Sequence, residues 1–379
     1  MHFAFNEQQQ ALKESARKFL QQTSSLQDVL RIMETEDGYE PDVWKELTRE
    51  LGWTALPVPE AYGGLELPFT DLTPLLEEMG YALFCGPYFS TICLGVPALL
   101  EGGTEHQKQE YLPRIASGDL TATLAYQEPN APWPGDTLST SVESDGDHFI
   151  LNGEKAHVLD GHTADLLIIA ARTPGTKGDE GISLFAVPKG SPGFTSEFTP
   201  TLDQTRKQAK LLLNNLRLPN EALLGPFEGG GPLLQKVLDL AGVALAAEQV
   251  GAAERCLDTA VDYAKVRFQF GRAIGSFQAI KHKCADMMVQ LESARSAAYY
   301  ASWVAAEDPA ELASAAAMAQ SFCSSAFFKC AAENIQIHGG IGFTWEHEAH
   351  VYFKRAQSSK TLLGTPAQHR ARVAHQMGL

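Results

Sequence analysis

Two stretches of this chain place residues where they could hold an anionic or planar ligand. Residues 263–287 read YAKVRFQFGRAIGSFQAIKHKCADM. Arg267, Phe270-Gly271, Ser276 and Gln278 fall around a joint between two helical patterns. A guanidinium can grip a phosphate through two parallel hydrogen bonds. The free N–H groups of the second helix, opening near Ser276, attract negative charge. The same residues also read as a helix-end ion pair closed by a tight turn. Residues 333–348 read ENIQIHGGIGFTWEHE. Gly339 and Gly340 let backbone approach a flat or phosphorylated ligand, and they equally serve as a helix stop. HEAH at 347–350 is a poor metal motif, because its histidines are three apart and no third ligand accompanies them. His162, and His282 between two lysines, have no partners in a nucleophilic triad pattern.

The elements that must position these residues fall into three regions, expected at 1–120, 121–225 and 226–379. The first is mostly helical. Asn6 is a good N-cap for EQQQALKESARKFLQQ. YEPDVWKELTREL reads as a second helix stopped by Gly52, and helical patterns return at FTDLTPLLEEMGYAL and TEHQKQEYLPRIASG. From about 121 the pattern changes to short strands: TATLAYQE, STSVES, HFILNGEKAHVL, DLLIIAAR and ISLFAVPK. Asp145-Gly146, Asn152-Gly153 and TPGTKGDEG supply turns between them. Six or so such strands suggest an antiparallel barrel or sandwich. From about 230 long helices dominate. One runs from PLLQKVLDL to YAKVR. The next carries Phe277, Ile280, Cys284, Met287, Leu291, Ala294 and Ala298 on one apolar stripe. Asp308, Pro309 and Glu311 open a third, which ends at Gly339 or Gly340. The fold class expected is α+β, with a helical N-terminal domain, a central antiparallel β-barrel and a C-terminal four-helix bundle.

Composition narrows the function. The chain has 379 residues, a formal net charge of −16, 44% hydrophobic and 20% charged residues. A strongly acidic chain is a poor binder of nucleic acid or of anionic membranes. The most apolar run, LFCGPYFSTICLGVPALL, is interrupted by Pro87 and Pro97 and reads as buried structure, not a membrane span. Six cysteines without a CxxC pair fit reduced thiols. The N-terminus lacks the layout of a signal peptide. A cytoplasmic protein is the expectation.

Taken together, LGWTALPVPEAYGG (51–64), GTEHQKQEYLPRIASGDLTATLAYQEP (103–129), RFQFGRAIGSFQAIKHKCADM and QIHGGIGFTWE resemble the acyl-CoA dehydrogenase family over nearly the whole chain. The resemblance implies FAD, an acyl-CoA substrate, a dimer or tetramer, and an electron-transferring flavoprotein as acceptor. It implies that each flavin's ADP half is held by a neighbouring subunit. The positions matching that donated half are Arg267, Gln269, Phe270, Gln278, Gln336, Gly339 and Gly340. Tyr126, Gln127, His157 and Leu159 match the positions around the flavin ring, and Thr365 another cofactor contact. Leu363 and Gly364 match the substrate turn, and Asp239 a contact to the CoA arm.

The family's reaction is α,β-dehydrogenation: a base takes the α-proton while the β-hydrogen leaves as hydride. The base is a carboxylate whose pKa desolvation raises, and it usually precedes the Gly-Thr pair. Here Leu363 precedes Gly364-Thr365. The alternative position, on the first long C-terminal helix, is Ala241, followed by Gly242 where arginine is usual. The flavin-facing loop at 127–136, QEPNAPWPGD, departs from the family pattern, and Leu159 lacks the expected hydroxyl. Backbone donors survive substitution: the Leu363 N–H can still face a carbonyl oxygen. Groups lent to a neighbour are thus kept, and groups serving the chain's own site are altered. The leading expectation is a base-lacking subunit of a hetero-oligomeric dehydrogenase, of the kind that acts on bulky steroid side-chain thioesters, with the catalytic base itself unassigned. The alternatives are a homo-oligomeric dehydrogenase with a base relocated to Glu248, Glu128 or Asp160, and a non-dehydrogenase acyl-CoA-binding flavoprotein.

Overall fold

A computed structural model of the chain describes residues 5–129 and 138–379. Internal contacts divide it into two compact units. One holds the chain up to Arg31, Pro68–Phe84 and Ala241–Leu379; the other holds Ile32–Leu67 and Cys85–Leu240.

The first unit is helical. Helix α1 (Glu7–Thr23) opens with a capping box: Asn6 Oδ1 accepts the Gln9 N–H at 2.8 Å, and Gln9 Oε1 accepts the Asn6 N–H at 3.0 Å. Helix α2 (Leu26–Met33) begins in this unit and α4 (Phe69–Tyr81) lies in it, whereas α3 (Pro41–Lys45), α5 (Val96–Gly102) and α6 (Glu105–Ala116) belong to the second unit. The long helix α7 (Gly231–Val266) has buried residues on all sides from Ala241 to Ala247, which marks it as central. It crosses α4 closely. A Cβ on Gly251 would lie 1.8 Å from Glu77 O, and one on Gly80 would lie 1.9 Å from Glu248 O. Only glycine permits that approach. Helices α8 (Gln278–Glu307), α9 (Leu312–His338), α10 (Ala349–Leu362) and α11 (Pro366–Gln376) complete the bundle. Helix α9 starts later than its apparent cap: Asp308 ends α8, and Glu311 is the N-cap residue. A proline can sit beyond a helix end as readily as inside a helix start.

The second unit is built on an eight-stranded sheet: β1 (Ala122–Ala125), β2 (Ser141–Asp145), β3 (His148–Leu159), β4 (Leu166–Arg172), β5 (Ile182–Pro188), β6 (Phe194–Thr199), β7 (Gln208–Pro219) and β8 (Leu223–Leu224). The order is β6-β7-β3-β2-β4-β5-β8, with β1 on β4. The sheet is antiparallel with two exceptions. β1 runs parallel to β4, and β2 meets β4 in parallel at Ser141 and Arg172. The β2–β3 hairpin intervenes between β1 and β4, which lets them share a direction. Among the described residues no pairing joins β6 to β8, so closure is not seen. Inward residues of β3, β4, β5 and β7 pack around Phe149 and Phe185, whose rings lie 5.1 Å apart. Burying these rings and aliphatic chains drives the sheet's formation. No described helix is long and apolar enough to cross a membrane.

Candidate active site

In the sheet unit, the residues matching the flavin ring come from the end of β1 and the end of β3. Tyr126 is buried, and that burial raises its phenol pKa. Gln127 follows, half-buried, and its carbonyl accepts the Ala156 N–H at 2.9 Å. That bond exists because β3 bulges against β7. Lys155 pairs with Leu211 and Val158 with Ala209, leaving Ala156 and His157 opposite one residue. His157 sits at φ +54°, exposed, with Nδ1 2.9 Å from Gln208 Oε1. Leu159 is buried, and its carbonyl accepts the Thr123 hydroxyl at 2.6 Å. The rest of the altered loop, 130–136, lies outside the described residues.

Glu128 is engaged four times. It accepts the Ser139 N–H at 2.7 Å, the Ser139 hydroxyl at 2.6 Å, the Thr140 N–H at 2.9 Å and Lys155 Nζ at 2.7 Å. Burial pushes this carboxyl up, but the Lys155 charge and these hydrogen bonds outweigh burial and hold it at about 2. Lys155, fully buried, is pushed by burial down to about 8 against the pull of Glu128. Sequence reasoning passed over Lys155. Its signal was parity: it lies on the inward register of β3, with Phe149 and Leu151. Asp160 is buried and accepts the Ser90 hydroxyl at 2.6 Å.

In the helical unit, α10 ends in the turn Leu363-Gly364-Thr365. Leu363 is 2% exposed. Its N–H turns back to Thr361 O, and its carbonyl lies 3.0 Å from His369 Nε2. Burial, with Arg372 nearby, pushes His369 down to about 4, so the neutral ring donates. Gly364 takes φ +104°. Thr365 caps α11, accepting the Gln368 N–H at 3.3 Å, while Gln368 Oε1 accepts the Thr365 N–H at 2.8 Å. Ala241 is wholly buried in α7. Gln320 donates to the carbonyl of Gly242, and its Cγ would lie 3.2 Å from a Cβ there. Gln320 thus occupies part of the space a side chain at 242 would need. Asp239, on the first part of α7 that belongs to the sheet unit, is buried and accepts from Gln235 at 3.1 Å. Glu248 is clamped by Arg355, with Oε1 2.7 Å from Nη1 and side chains 9% and 3% exposed.

The residues matching the donated half are all exposed. Strands β9 (Phe268–Gln269) and β10 (Arg272–Ala273) form a hairpin after α7. Its turn is Phe270-Gly271, with φ +54° and +78°. A phenylalanine in left-handed backbone is uncommon and costly. Phe270 is nevertheless 91% exposed. Arg267 and Gln269 are exposed, and no carboxylate among the described residues pairs with Arg267. Gln278 opens α8, two residues later than the start near Ser276, because Ile274–Ser276 forms a 3-10 turn. Gln336, Gly339 and Gly340 are exposed at the end of α9, with nothing within 4 Å of a Cβ on either glycine. The candidate metal histidines are used locally: His347 Nδ1 accepts the Ala349 N–H, and His350 Nε2 lies 3.2 Å from Trp345 O.

A helical region, then a sheet, then a helical bundle is the layout of oxidoreductases that act on acyl-CoA. Residues 6–119, 123–213 and 228–378 match the acyl-CoA dehydrogenase N-terminal, middle and C-terminal domains. Acyl-CoA dehydrogenase IpdE2 of Mycolicibacterium smegmatis is 33% identical over 97% of this chain and 98% of its own length. Butyryl-CoA dehydrogenase of Megasphaera elsdenii superposes with a TM-score of 0.91 at 27% identity, covering all of both chains. A chain of the ChsE4-ChsE5 complex from Mycobacterium tuberculosis superposes with a TM-score of 0.91 at 25% identity, over 100% of this chain and 99% of its own. This chain belongs to the acyl-CoA dehydrogenase family.

Proposed function

We propose that this chain works in FAD-dependent α,β-dehydrogenation of an acyl-CoA, as the base-lacking subunit of a hetero-oligomer. The observation that carries the reading is Leu363: a buried aliphatic side chain on the turn where the family's base is expected. An aliphatic group accepts no proton. The candidate substitutes are committed elsewhere. Glu128 has four donors and Glu248 an arginine, while Asp160 holds Ser90. A base must be within reach of the proton it takes and poised near the working pH, and a carboxyl held at about 2 is a poor one.

The residues present fit FAD. The open backbone at Gly339-Gly340 and the available Arg267 suit a pyrophosphate. Phe270, Phe343 and Trp345 stand 91%, 71% and 69% exposed nearby in sequence. Exposed aromatics of this kind mark a surface that a partner covers. FAD supplies the hydride acceptor when bound. Arg267, Gln269, Phe270, Gln278, Gln336, Gly339 and Gly340 hold the ADP half of a flavin seated on the neighbouring subunit. Tyr126, Gln127, His157 and Leu159 face this chain's own flavin ring, and Thr365 touches the cofactor. Leu363 and Gly364 border the acyl group and Asp239 the CoA arm. The family division at 1–120, 121–225 and 226–379 carries these roles, with an electron-transferring flavoprotein as acceptor.

The test is purification from the native host with associated chains retained. Flavin content and acyl-CoA-dependent bleaching are then measured for the complex and for this chain alone. A yellow complex with a second acyl-CoA dehydrogenase-like chain, bleaching only when both are present, is expected. An active, fully flavinylated homo-oligomer overturns the reading.

A further inference from the structure

One buried ion pair of the sheet unit joins residues next in sequence to Gln127 and Ala156. Lys155 Nζ meets Glu128 Oε1 at 2.7 Å, with side chains 0% and 2% exposed. Each partner sits one residue from a second link between the same two segments. Glu128 follows Gln127, whose carbonyl accepts the Ala156 N–H, and Ala156 follows Lys155. The pair and that backbone bond therefore fasten residues 127–128 to residues 155–156 at two adjacent points. His157, the next residue, sits in the left-handed backbone of the bulge. The same carboxylate also grips Ser139 and Thr140. Arg172 of β4 reinforces that side, donating its Nε to Leu138 O at 3.1 Å and its N–H to Thr140 O at 2.8 Å. Three chain segments thus converge on one carboxylate whose lone pairs are all used.

We propose that Lys155, acting through Glu128, is a positioning residue that fixes the bulge and with it the presentation of Gln127 and His157 to the flavin ring. The proposal rests on the flavin reading above. A buried carboxylate without its counter-charge is costly, so losing the lysine charge forces Glu128 to take a proton or draw in water. Either change loosens its hold on Ser139 and Thr140 and on the Gln127–Ala156 link. The core of the sheet does not depend on the pair, because Phe149, Leu151 and Val158 carry β3. The charged groups facing Lys155 are Glu128 and Arg172. Burial and Arg172 lower the lysine, and Glu128 raises it, to about 8. Deprotonation of Lys155 therefore falls within the range where flavoproteins are handled.

The experiment uses the complex as purified. FAD is stripped and titrated back by fluorescence quenching, and the visible spectrum of the bound flavin is recorded from pH 6 to 9. Wild type, Lys155→Met and the double variant Glu128→Gln/Lys155→Met are compared, with circular dichroism as the control for folding. Lys155→Met is expected to weaken FAD binding about tenfold or more, a loss of about 1.4 kcal/mol. It is also expected to abolish a spectral change centred near pH 8 in the wild type. The double variant, which removes the uncompensated charge and keeps one acceptor oxygen, enough for Ser139 or Thr140, is expected to recover part of the affinity while remaining independent of pH. Wild-type affinity and spectrum in folded Lys155→Met overturn this inference alone, as does a pH transition that persists in that variant. A wild-type complex that takes up no FAD overturns the flavin reading and this inference with it.

Discussion

Glu248 gives the sharpest separation of a base from a structural anion. It lies on α7 beyond Ala241, the empty alternative base position, and is 7% exposed. Its partner Arg355 on α10 is 3% exposed, with Nη1 2.7 Å from Glu248 Oε1. The carbonyl of Glu248 also supports the α4 crossing at Gly80. Glu248→Gln keeps the shape and one acceptor but strips the charge, leaving the Arg355 guanidinium buried without its anion. Breaking a buried pair from one side costs about 3–5 kcal/mol. The pair itself is worth far less than its Coulomb attraction, about 4 kcal/mol at 4 Å for an effective dielectric of 20, because both ions were desolvated to make it. Replacing both partners, Glu248→Leu with Arg355→Met, is therefore expected to restore most of the loss. Urea unfolding of the three variants gives the free energies, and acyl-CoA-dependent flavin bleaching of the complex gives the chemistry. The structural reading expects a large stability loss in the single variant, recovery in the double, and unchanged bleaching in the molecules that fold. General bases contribute about 10²–10⁴-fold to rate. A bleaching rate reduced on that scale in Glu248→Gln, with unfolding free energy unaltered, would refute the argument and place the proton acceptor on α7.

Acid should weaken the sheet unit through Glu128. Its folded pKa of about 2 lies below the ordinary 4.5, so its contribution is fully present above pH 4.5 and is lost as pH falls through 2. At about 1.4 kcal/mol per unit the total is of order 3 kcal/mol. Unfolding free energy measured from pH 6 to pH 2 should show a fall in wild type that is smaller in Glu128→Gln. Gly251→Ala should be among the most damaging substitutions in the helical unit, because its Cβ would meet a backbone oxygen at 1.8 Å and α4 must move away from α7. A loss of several kcal/mol in urea unfolding is expected, and an unfolding midpoint equal to wild type would show that the two helices are not packed as described.

The long helices and the hydrophobic strands were legible because their signals are periodic and local. The capping box at Asn6, the stop at Gly339 and the full run of α7 follow from residues within a few positions of each other. β6 and β7 were harder. KLLLNNLRLP opens with three consecutive leucines and alternates only from Leu216 onward, and FTSEFT carries little hydrophobic weight. The parallel contact of β1 with β4 is set by pairing across the β2–β3 hairpin, which no local pattern encodes. At the site, the positions came from family resemblance. What held the acidic residues did not. Arg355 is 107 residues from Glu248 and Lys155 is 27 from Glu128, so their commitment to ion pairs became visible only in three dimensions.

The turn at 363–365 bears on the choice between a subunit that still binds thioester and a fold emptied of its function. Three features fix it. Gly364 adopts φ +104°, Thr365 and Gln368 form a complete capping box, and the buried ring of His369 is held neutral against Leu363 O. Burying a histidine and holding unusual backbone both cost free energy, and such costs persist where the surroundings over-determine the geometry. The glycine after α10 and the capping box of α11 are what a helix–helix joint uses, so the neutral His369 ring on the Leu363 carbonyl is the feature beyond that need. What Leu363 lacks is a side chain able to take a proton, while the backbone of the turn is held from both helix ends. That combination favours a chain that retains thioester geometry and leaves proton abstraction to another subunit.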